Sequence, residues 1–420
     1  MDKRTFLKQM ALIGVGSTPL FKQLDQIVSA VAHRTPDEVA TDEAFWAEVR
    51  AGYRLKPDYI NLENGYYCMA PQETLEHFIH HVREMNYQAS YYMRTVQWSN
   101  KKRIHEKLAK MVGASAEEIV VTRNTTESLD TVIAGYPWKE GDEALMANQD
   151  YGAMLNMFRQ VGERHGVKIN RIDVPMDPKT DEEVVAAYEK ALTPNTRLLM
   201  ICHLINITGH VLPVRKICDM AHAKGVEVMV DGAHAIAHLQ FTLPELGCDY
   251  YGSSLHKWLS TPVGAGLLYV KKEHIPKIWP MFAEWGKEPD DILRLNHTGT
   301  HPCHTDLAIG NAIEYFYRLG PARKEARLRY LQRYWSDQVR DLPHIRLNTP
   351  RDPQRSCAIA NVGIKGMEPS EMARRLLHDY GIWTVAINNA GVKGCRITPN
   401  VFTTTEELDT FVAALKDMAT

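Results

Sequence analysis

Several polar side chains follow runs of apolar residues in this sequence, and their types can cooperate in one reaction. Asp231 ends the apolar run that begins at Val226, and Lys257 follows further along the chain. Thr125 and Thr126 come between a predicted strand and the start of a helix, where backbone N–H groups bind anions. Because open parallel sheets bind ligands at the carboxyl ends of their strands, we expect these residues to share a site. A carboxylate, a lysine and an anion-binding helix start together indicate a phosphorylated aromatic aldehyde with a basic ring nitrogen.

The elements that must position these residues alternate between apolar strands and helices. Strands are predicted at residues 119–122, 144–146, 167–174, 197–203, 226–231, 250–254 and 266–270. Because these strands are apolar on both faces, they predict an α/β fold with a mostly parallel sheet covered by helices on both sides. After about residue 310, the pattern changes to long helices with two short strands, around 357–362 and 383–387. This change predicts a smaller α+β unit of roughly 100 residues.

The composition is that of an ordinary globular protein and argues against several other classes. The chain has 420 residues, with 49 basic and 51 acidic side chains and 45% hydrophobic residues. A formal net charge of −2 argues against a protein that coats nucleic acid. No apolar run approaches the ~18 residues that a membrane-spanning helix needs. The seven cysteines are scattered and odd in number, which argues against a disulfide scaffold. No metal site is predicted.

The first 32 residues have the order of features found in a signal peptide. Basic Lys3 and Arg4 precede a modest apolar stretch, and Ala30-Val31-Ala32 has the small-x-small pattern of a cleavage site. The start resembles a twin-arginine export signal with lysine in place of the first arginine. We therefore expect residues 1–32 to lie outside the fold and the protein to be exported to the periplasm. The alternative is an amphipathic N-terminal helix of a cytoplasmic enzyme.

The strings around the lysine resemble one protein family. Asp231-Gly-Ala-His234, then Ser254-Leu-His256-Lys257-Trp, then Gly264-Ala-Gly266 are similar to the motifs of the class V aminotransferases, which are fold-type I enzymes that use pyridoxal 5′-phosphate (PLP). Within this family, the sequence resembles the branch that contains isopenicillin N epimerase-like and cysteine desulfurase-like proteins. The resemblance implies a three-layer PLP-dependent transferase fold and a homodimer with shared active sites. It also implies an N-terminal arm (33–64) that joins the small domain, a large PLP-binding domain (65–312) and a small C-terminal domain (313–420).

The resemblance assigns roles around the cofactor ring. Lys257 would form the internal aldimine and then move the α-proton of the substrate. Asp231 would pair with the pyridine nitrogen and keep it protonated, so that the ring accepts electrons from the α-carbon. His234 and Asn206 would approach the phenolic oxygen of the ring. Tyr151 would stack on the ring face.

The phosphate and the substrate receive further residues from the same resemblance. Four side chains would bind the phosphate: Thr125, Thr126, Ser254 and His256. Thr300 would reach the phosphate of the partner subunit across a dimer interface. Arg396 would fork onto the α-carboxylate of a small amino-acid substrate, because a planar guanidinium suits a bidentate contact, and Asn64 would support the same carboxylate.

The sequence leaves several reactions open. Cysteine desulfurases need a mobile cysteine near the C-terminal part of the site, and residues 386–394 contain none. Cys395 is predicted to face away from Arg396, because neighbours in a strand point to opposite sides. Transamination is the main reading, with amino-acid epimerisation and carbon–sulfur lysis as alternatives. A serine hydrolase that uses Ser253 or Ser254 with His256 and Asp231 is a rival hypothesis, as is a non-catalytic binding protein.

Overall fold

The computed structural model describes residues 21–418 of the chain. Its helices are α1 (Lys22–Ala30), α2 (Pro36–Ala40), α3 (Glu43–Ala51), α4 (Gln72–Gln88), α5 (Ser90–Thr95), α6 (Gln97–Val112), α7 (Thr125–Gly135), α8 (Gly152–His165), α9 (Asp181–Glu189), α10 (Val214–His222), α11 (Leu243–Leu246), α12 (Cys303–Leu319), α13 (Pro321–Val339), α14 (Pro369–Tyr380) and α15 (Thr405–Asp417). Its strands are β1 (Ile60–Asn61), β2 (Ile119–Thr122), β3 (Glu143–Ala147), β4 (Lys168–Ile172), β5 (Thr196–Cys202), β6 (Glu227–Asp231), β7 (Tyr250–Ser254), β8 (Gly266–Val270), β9 (Ile345–Leu347), β10 (Ala360–Ile364), β11 (Ile382–Trp383), β12 (Val385–Asn389) and β13 (Val392–Ile397). Within the described range, none of these helices has the length and apolar character needed to span a bilayer.

A seven-stranded sheet forms the centre of the molecule, in the order β2-β8-β7-β6-β5-β3-β4. Neighbouring strands are parallel except at β8, which runs antiparallel to both β2 and β7. The register places Cys202 beside Asp231, and Asp231 beside Gly252. The carboxyl ends of β5, β6 and β7 therefore meet at one edge of the sheet.

Both faces of this sheet are buried, as the apolar strands predict. In β5, Leu199 and Ile201 pack into the hydrophobic cluster on one face, and Leu198 and Met200 pack into the cluster on the other. All four side chains are fully buried. The predicted α/β architecture is confirmed, because this alternation requires helices on both sides.

The C-terminal part contains an antiparallel sheet of four strands, in the order β12-β13-β10-β9. The α+β character of this part is confirmed. Strand β9 was not predicted, and β13 was expected only as a local strand around Cys395 and Arg396. In addition, β1 pairs in parallel with β11, so that residues 60–61 of the N-terminal segment join the C-terminal part. A single bridge continues this contact from Glu63 to Thr398.

Residues 21–32 take part in the fold, which corrects the expectation that the fold excludes them. Helix α1 packs against α3 and α12, and Phe21, Leu24 and Val31 are buried in a cluster with Trp46. The expectation fails because the apolar residues of this segment lie on one face of a helix, and that face packs against the rest of the fold. The proposed signal also includes residues 1–20, which lie outside the described part of the chain, so export and cleavage stay predictions.

Arg327 of α13 connects the N-terminal segment to the C-terminal part. Its fully buried guanidinium donates to both carboxylate oxygens of Glu43, to the Ala40 carbonyl at 3.0 Å and to the Thr403 carbonyl at 3.0 Å. Removing Arg327 would leave the carbonyl groups of the buried residues Ala40 and Thr403 without this donor.

We expect Arg327→Ala to lower the free energy of unfolding by about 3 kcal/mol. Urea denaturation followed by circular dichroism measures this loss. The matched control is Arg333→Ala, which breaks the exposed pair with Asp337 and should change stability by less than about 0.5 kcal/mol. Equal losses in the two variants would contradict the importance of the buried connection.

Candidate active site

Asp231 lies at the last position of β6, where the strand reaches the edge of the sheet. Its side chain is 4% exposed, and one carboxylate oxygen accepts the Ala233 N–H at 3.0 Å. Burial raises the pKa of Asp231, while this hydrogen bond and the nearby charge of Lys257 oppose the shift. A cationic partner in the cavity would therefore stabilise the charged form of this carboxylate.

Lys257 lies in the turn between β7 and β8, with its amine 3.1 Å from Nε2 of His234. Burial lowers the pKa of Lys257 to about 8, with Asp231 acting in the opposite direction. Burial also lowers the pKa of His234 well below its ordinary value, so that the imidazole is neutral. The two groups are thus held close together without both carrying charge.

The hydrogen bonds of His234 indicate the form of the lysine. The indole N–H of Trp258 donates to Nδ1 of His234 at 3.3 Å. The single proton of a neutral imidazole then lies on Nε2, which donates to Nζ of Lys257. With this tautomer Nζ accepts the hydrogen bond, which favours the neutral amine of Lys257, the form that attacks carbonyl carbons.

The start of α7 faces the same space. Asn124 caps the helix by accepting the Glu127 N–H at 2.9 Å. The backbone N–H of Thr125 donates to Oγ of Ser254 at 2.9 Å, and the two hydroxyl oxygens are 2.7 Å apart. An anion in this position would meet hydroxyl groups and the positive end of an 11-residue helix.

These groups surround one cavity of ≈ 270 Å³. It is lined by all of the predicted site residues except Asn64 and Thr300, namely Thr125, Thr126, Tyr151, Asn206, Asp231, His234, Ser254, His256, Lys257 and Arg396. Gly65, Tyr66 and Cys202 also line it and were not predicted. Tyr151 lines the cavity and is 45% exposed.

The remaining two predicted residues lie elsewhere. Asn64 is fully buried, and its side-chain amide donates to the Thr398 carbonyl at 2.8 Å, which differs from the predicted contact with a substrate carboxylate. Its local bonds hold the β1 segment to the C-terminal part instead. Thr300 is exposed and does not line the cavity of its own chain, so its predicted role in a partner subunit stays a prediction.

Arg396, in β13, lies in an ion pair that the sequence did not predict. Its Nε donates to Glu63 at 3.1 Å and its Nη2 donates to the other oxygen of Glu63 at 2.5 Å. Gly65 lies on the face of the guanidinium, where a Cβ atom would be 3.0 Å from Cζ, so that a larger residue would displace it. The acidic residue before Asn64-Gly65 was the only sequence signal for this pair.

Cys395 points away from Arg396, as predicted. It is fully buried, and its Sγ lies 3.7 Å from the Pro369 carbonyl oxygen. Burial raises the pKa of the Cys395 thiol to about 12. Cys202 does line the cavity, but burial raises its pKa well above the ordinary value as well, so that neither thiol is a ready nucleophile.

The geometry of a serine hydrolase is not formed by the predicted residues. Ser253 donates its hydroxyl to the Gly232 carbonyl at 2.8 Å, and Ser254 bonds Thr125. Nδ1 of His256 is buried and lacks a hydrogen-bond partner among the described residues. A nucleophilic serine needs a histidine within hydrogen-bond reach, and neither serine has one here.

The cavity fits PLP on the chemistry of its donors and acceptors. Oδ1 of Asn206 and Nδ1 of His256 are buried polar atoms without partners in the described chain, and both side chains line the cavity. A bound phenol hydroxyl would donate to Oδ1 of Asn206 and a phosphate would accept from Nδ1 of His256, whereas Asp231 suits a protonated ring nitrogen and Lys257 suits an aldehyde.

Comparison with known proteins supports this assignment. Residues 67–410 match the family described as Aminotransferase class-V. The isopenicillin N epimerase of Streptomyces clavuligerus is 28% identical over 393 residues, which cover 89% of this chain and 98% of that protein. Among solved structures, the apo cysteine desulfurase from Thermococcus onnurineus NA1 is similar with a TM-score of 0.79 at 20% identity, over 89% of this chain and 97% of that one.

A second solved structure carries the cofactor itself. It is a variant of C-DES with glycine covalently linked to its PLP cofactor, similar to this chain with a TM-score of 0.78 at 20% identity, over 88% of this chain and 99% of that one. Both structural similarities extend over nearly the whole described chain, and they confirm the fold predicted from the sequence. The family match, the fold and the cavity together show that this chain belongs to the class V aminotransferases, a family of PLP-dependent enzymes.

Proposed function

We propose that this protein removes the α-proton of a small amino acid or a related amine, with PLP held by Lys257. The observation that carries the proposal is the buried amine of Lys257, 3.1 Å from His234, in one cavity with the buried carboxylate of Asp231. A neutral amine can attack an aldehyde and can afterwards accept a proton. Lys257 lies in the cavity, where one amine can attack the aldehyde and then accept the proton.

The polar groups of the cavity divide the work of binding the cofactor. Asp231 would pair with the ring nitrogen, and Asn206 and His234 would lie near the phenolic oxygen. Thr125, Thr126, Ser254 and His256 would bind the phosphate at the start of α7. When bound, PLP supplies an electron-withdrawing ring that stabilises the negative charge left on the α-carbon.

The fate of the α-carbon separates the candidate reactions. Transamination, epimerisation and carbon–sulfur lysis all begin with the removal of the α-proton, so the same residues serve each. Desulfuration through a protein persulfide is disfavoured, because all seven cysteines of the chain are buried in the structure. We propose transamination as the main activity.

Epimerisation is the second candidate. The supporting observation is the length of the match to isopenicillin N epimerase, which covers 98% of that protein. An epimerase needs a second proton donor on the ring face opposite Lys257. Tyr151 lines the cavity and carries a hydroxyl group, so it is our candidate for that donor.

We also propose a homodimer and export. The exposed position of Thr300 supports a shared site, in which Thr300 of the partner subunit reaches the phosphate. The basic start, the apolar stretch and the small residues up to Ala32 support a twin-arginine-like route to the periplasm.

The test of the function is exchange of the α-proton in deuterated water, measured by NMR for a panel of amino acids and amines with the PLP-loaded protein. We expect loss of the α-proton signal for at least one compound. The product then identifies the reaction: a keto acid for transamination, the other enantiomer for epimerisation, or released sulfide for lysis. PLP-loaded protein that exchanges no compound of the panel would support a non-catalytic binding protein instead.

A further inference from the structure

The arginine predicted to bind the substrate carboxylate already binds a carboxylate of its own chain. Glu63 takes the edge of the Arg396 guanidinium formed by Nε and Nη2. The side chains of the pair are 7% and 8% exposed. A bidentate pair that is this well buried is stronger than an exposed one, so it is a fixed part of the site.

The same carboxylate is fixed from a second direction. Oε1 of Glu63 also accepts the backbone N–H groups of Gly65 at 3.1 Å and Tyr66 at 2.9 Å. Gly65 and Tyr66 line the cavity, whereas Glu63 does not. Glu63 therefore lies behind the guanidinium as seen from the cavity, and leaving this position would cost it four hydrogen bonds.

The remaining edge of Arg396 is the one available to a ligand. Nη1 lies 3.5 Å from the carbonyl oxygen of Asn206, at the limit of a hydrogen bond, so its protons are weakly engaged. The charge of the guanidinium is offset by Glu63 at the other edge. A ligand at Nη1 meets good hydrogen-bond donors but little net positive charge.

We propose that Glu63 is a specificity-determining residue of this site. It offsets the charge of Arg396 and leaves one edge of the guanidinium free to contact the substrate. The substrate is then recognised at that edge through a hydrogen-bond acceptor, without a full ion pair. The substrate class then includes neutral acceptors, such as amides and esters, beside free carboxylates. The proposal rests on the proposed function, because it concerns the substrate of that site.

The experiment compares propionate with propionamide, which has the same shape without the charge. Dissociation constants are measured on PLP-loaded protein by ligand-observed NMR titration. We expect wild-type protein to prefer propionate over propionamide by less than about tenfold, and Glu63→Gln to bind propionate about tenfold more tightly, or about 1.4 kcal/mol, with no change for propionamide. Glu63→Gln keeps an oxygen for the N–H groups of Gly65 and Tyr66.

Two controls accompany this variant. Arg396→Gln should weaken propionate binding in both backgrounds, which places the ligand at this arginine. Glu325→Gln removes a carboxylate from a more exposed pair with Arg329, outside the cavity lining, and should leave both constants unchanged. Unchanged or weaker propionate binding in Glu63→Gln would overturn the proposal, since a purely structural Glu63 predicts that Arg396 is misplaced.

The outcome is separable from the failure of the proposed function. If Lys257 does not bind PLP, the proposed function fails before any titration begins. If PLP binds and Glu63→Gln does not gain affinity for propionate, only the role of Glu63 fails. If Glu63→Gln does not fold, a crystal structure of the wild-type protein with propionate decides: Glu63 still bonded to Nε and Nη2 supports the proposal, and a displaced Glu63 contradicts it.

Discussion

The Lys257→Ala variant is expected to fold and to lose at least about 10⁴-fold in kcat/KM, because one amine both attaches the cofactor and moves the proton. Borohydride reduction followed by peptide mass spectrometry checks the attachment. Wild-type protein loaded with PLP should gain the mass of a reduced pyridoxyl phosphate group on the peptide that contains Lys257. The variant should gain none.

Lys324 provides a control for this experiment within the same molecule. It is also a buried lysine, and burial lowers its pKa to about 8, but its amine donates to the carbonyl of Trp258 and does not line the cavity. A lowered pKa alone would make both lysines targets of the aldehyde. Labelling of Lys324 in place of Lys257 would contradict the assigned site, and so would full activity in Lys257→Ala.

Asp231→Asn is expected to lower kcat/KM by about 10²- to 10⁴-fold, because a neutral amide cannot stabilise a protonated ring nitrogen. The variant should still be labelled at Lys257 after borohydride reduction, since the lysine is unchanged. Steady-state kinetics and peptide mass spectrometry separate these two effects. Activity close to that of the wild type would show that the ring nitrogen does not need the carboxylate.

The same variant is expected to change how stability depends on pH in cofactor-free protein. Burial raises the pKa of Asp231 in the folded state, so the folded protein binds this proton more tightly than the unfolded chain does. The contribution of Asp231 to stability is therefore greatest below its ordinary pKa and is lost as the pH rises through the raised pKa. Thermal unfolding between pH 4 and pH 8 should show a smaller decline with pH in Asp231→Asn than in wild type.

Most of the site could be predicted from sequence because it is built at strand ends. Asp231 and Ser254 close two adjacent parallel strands, and Thr125 starts the helix after a third, so the topology brings short local motifs together. Such motifs can be recognised in a single sequence, because each consists of a few consecutive residues. The order of strands and helices follows for the same reason.

The pairing of Glu63 with Arg396 could not be predicted, because the two residues are far apart in sequence and neither belongs to a local motif for the other. The pairing of β12 with β13 in a hairpin was also not predicted, although strands were expected at residues 383–387 and around Arg396. Its turn at Ala390 and Gly391 uses positive φ angles of 49° and 76°, and the polar residues of β12 hide the alternation that indicates a strand. The folded backbone shows that this hairpin places Arg396 at the cavity.

Helix α1 bears on the predicted cleavage after Ala32. Phe21 stacks on His77 with ring centroids 5.5 Å apart, and Asp25 pairs with Arg318, so this segment seals a seam between α4 and α12. A peptidase that cut after Ala32 would remove helix α1 and expose Tyr315 and the aromatic rings around it to water. A cleavage that keeps these contacts must therefore fall before Phe21 in the sequence.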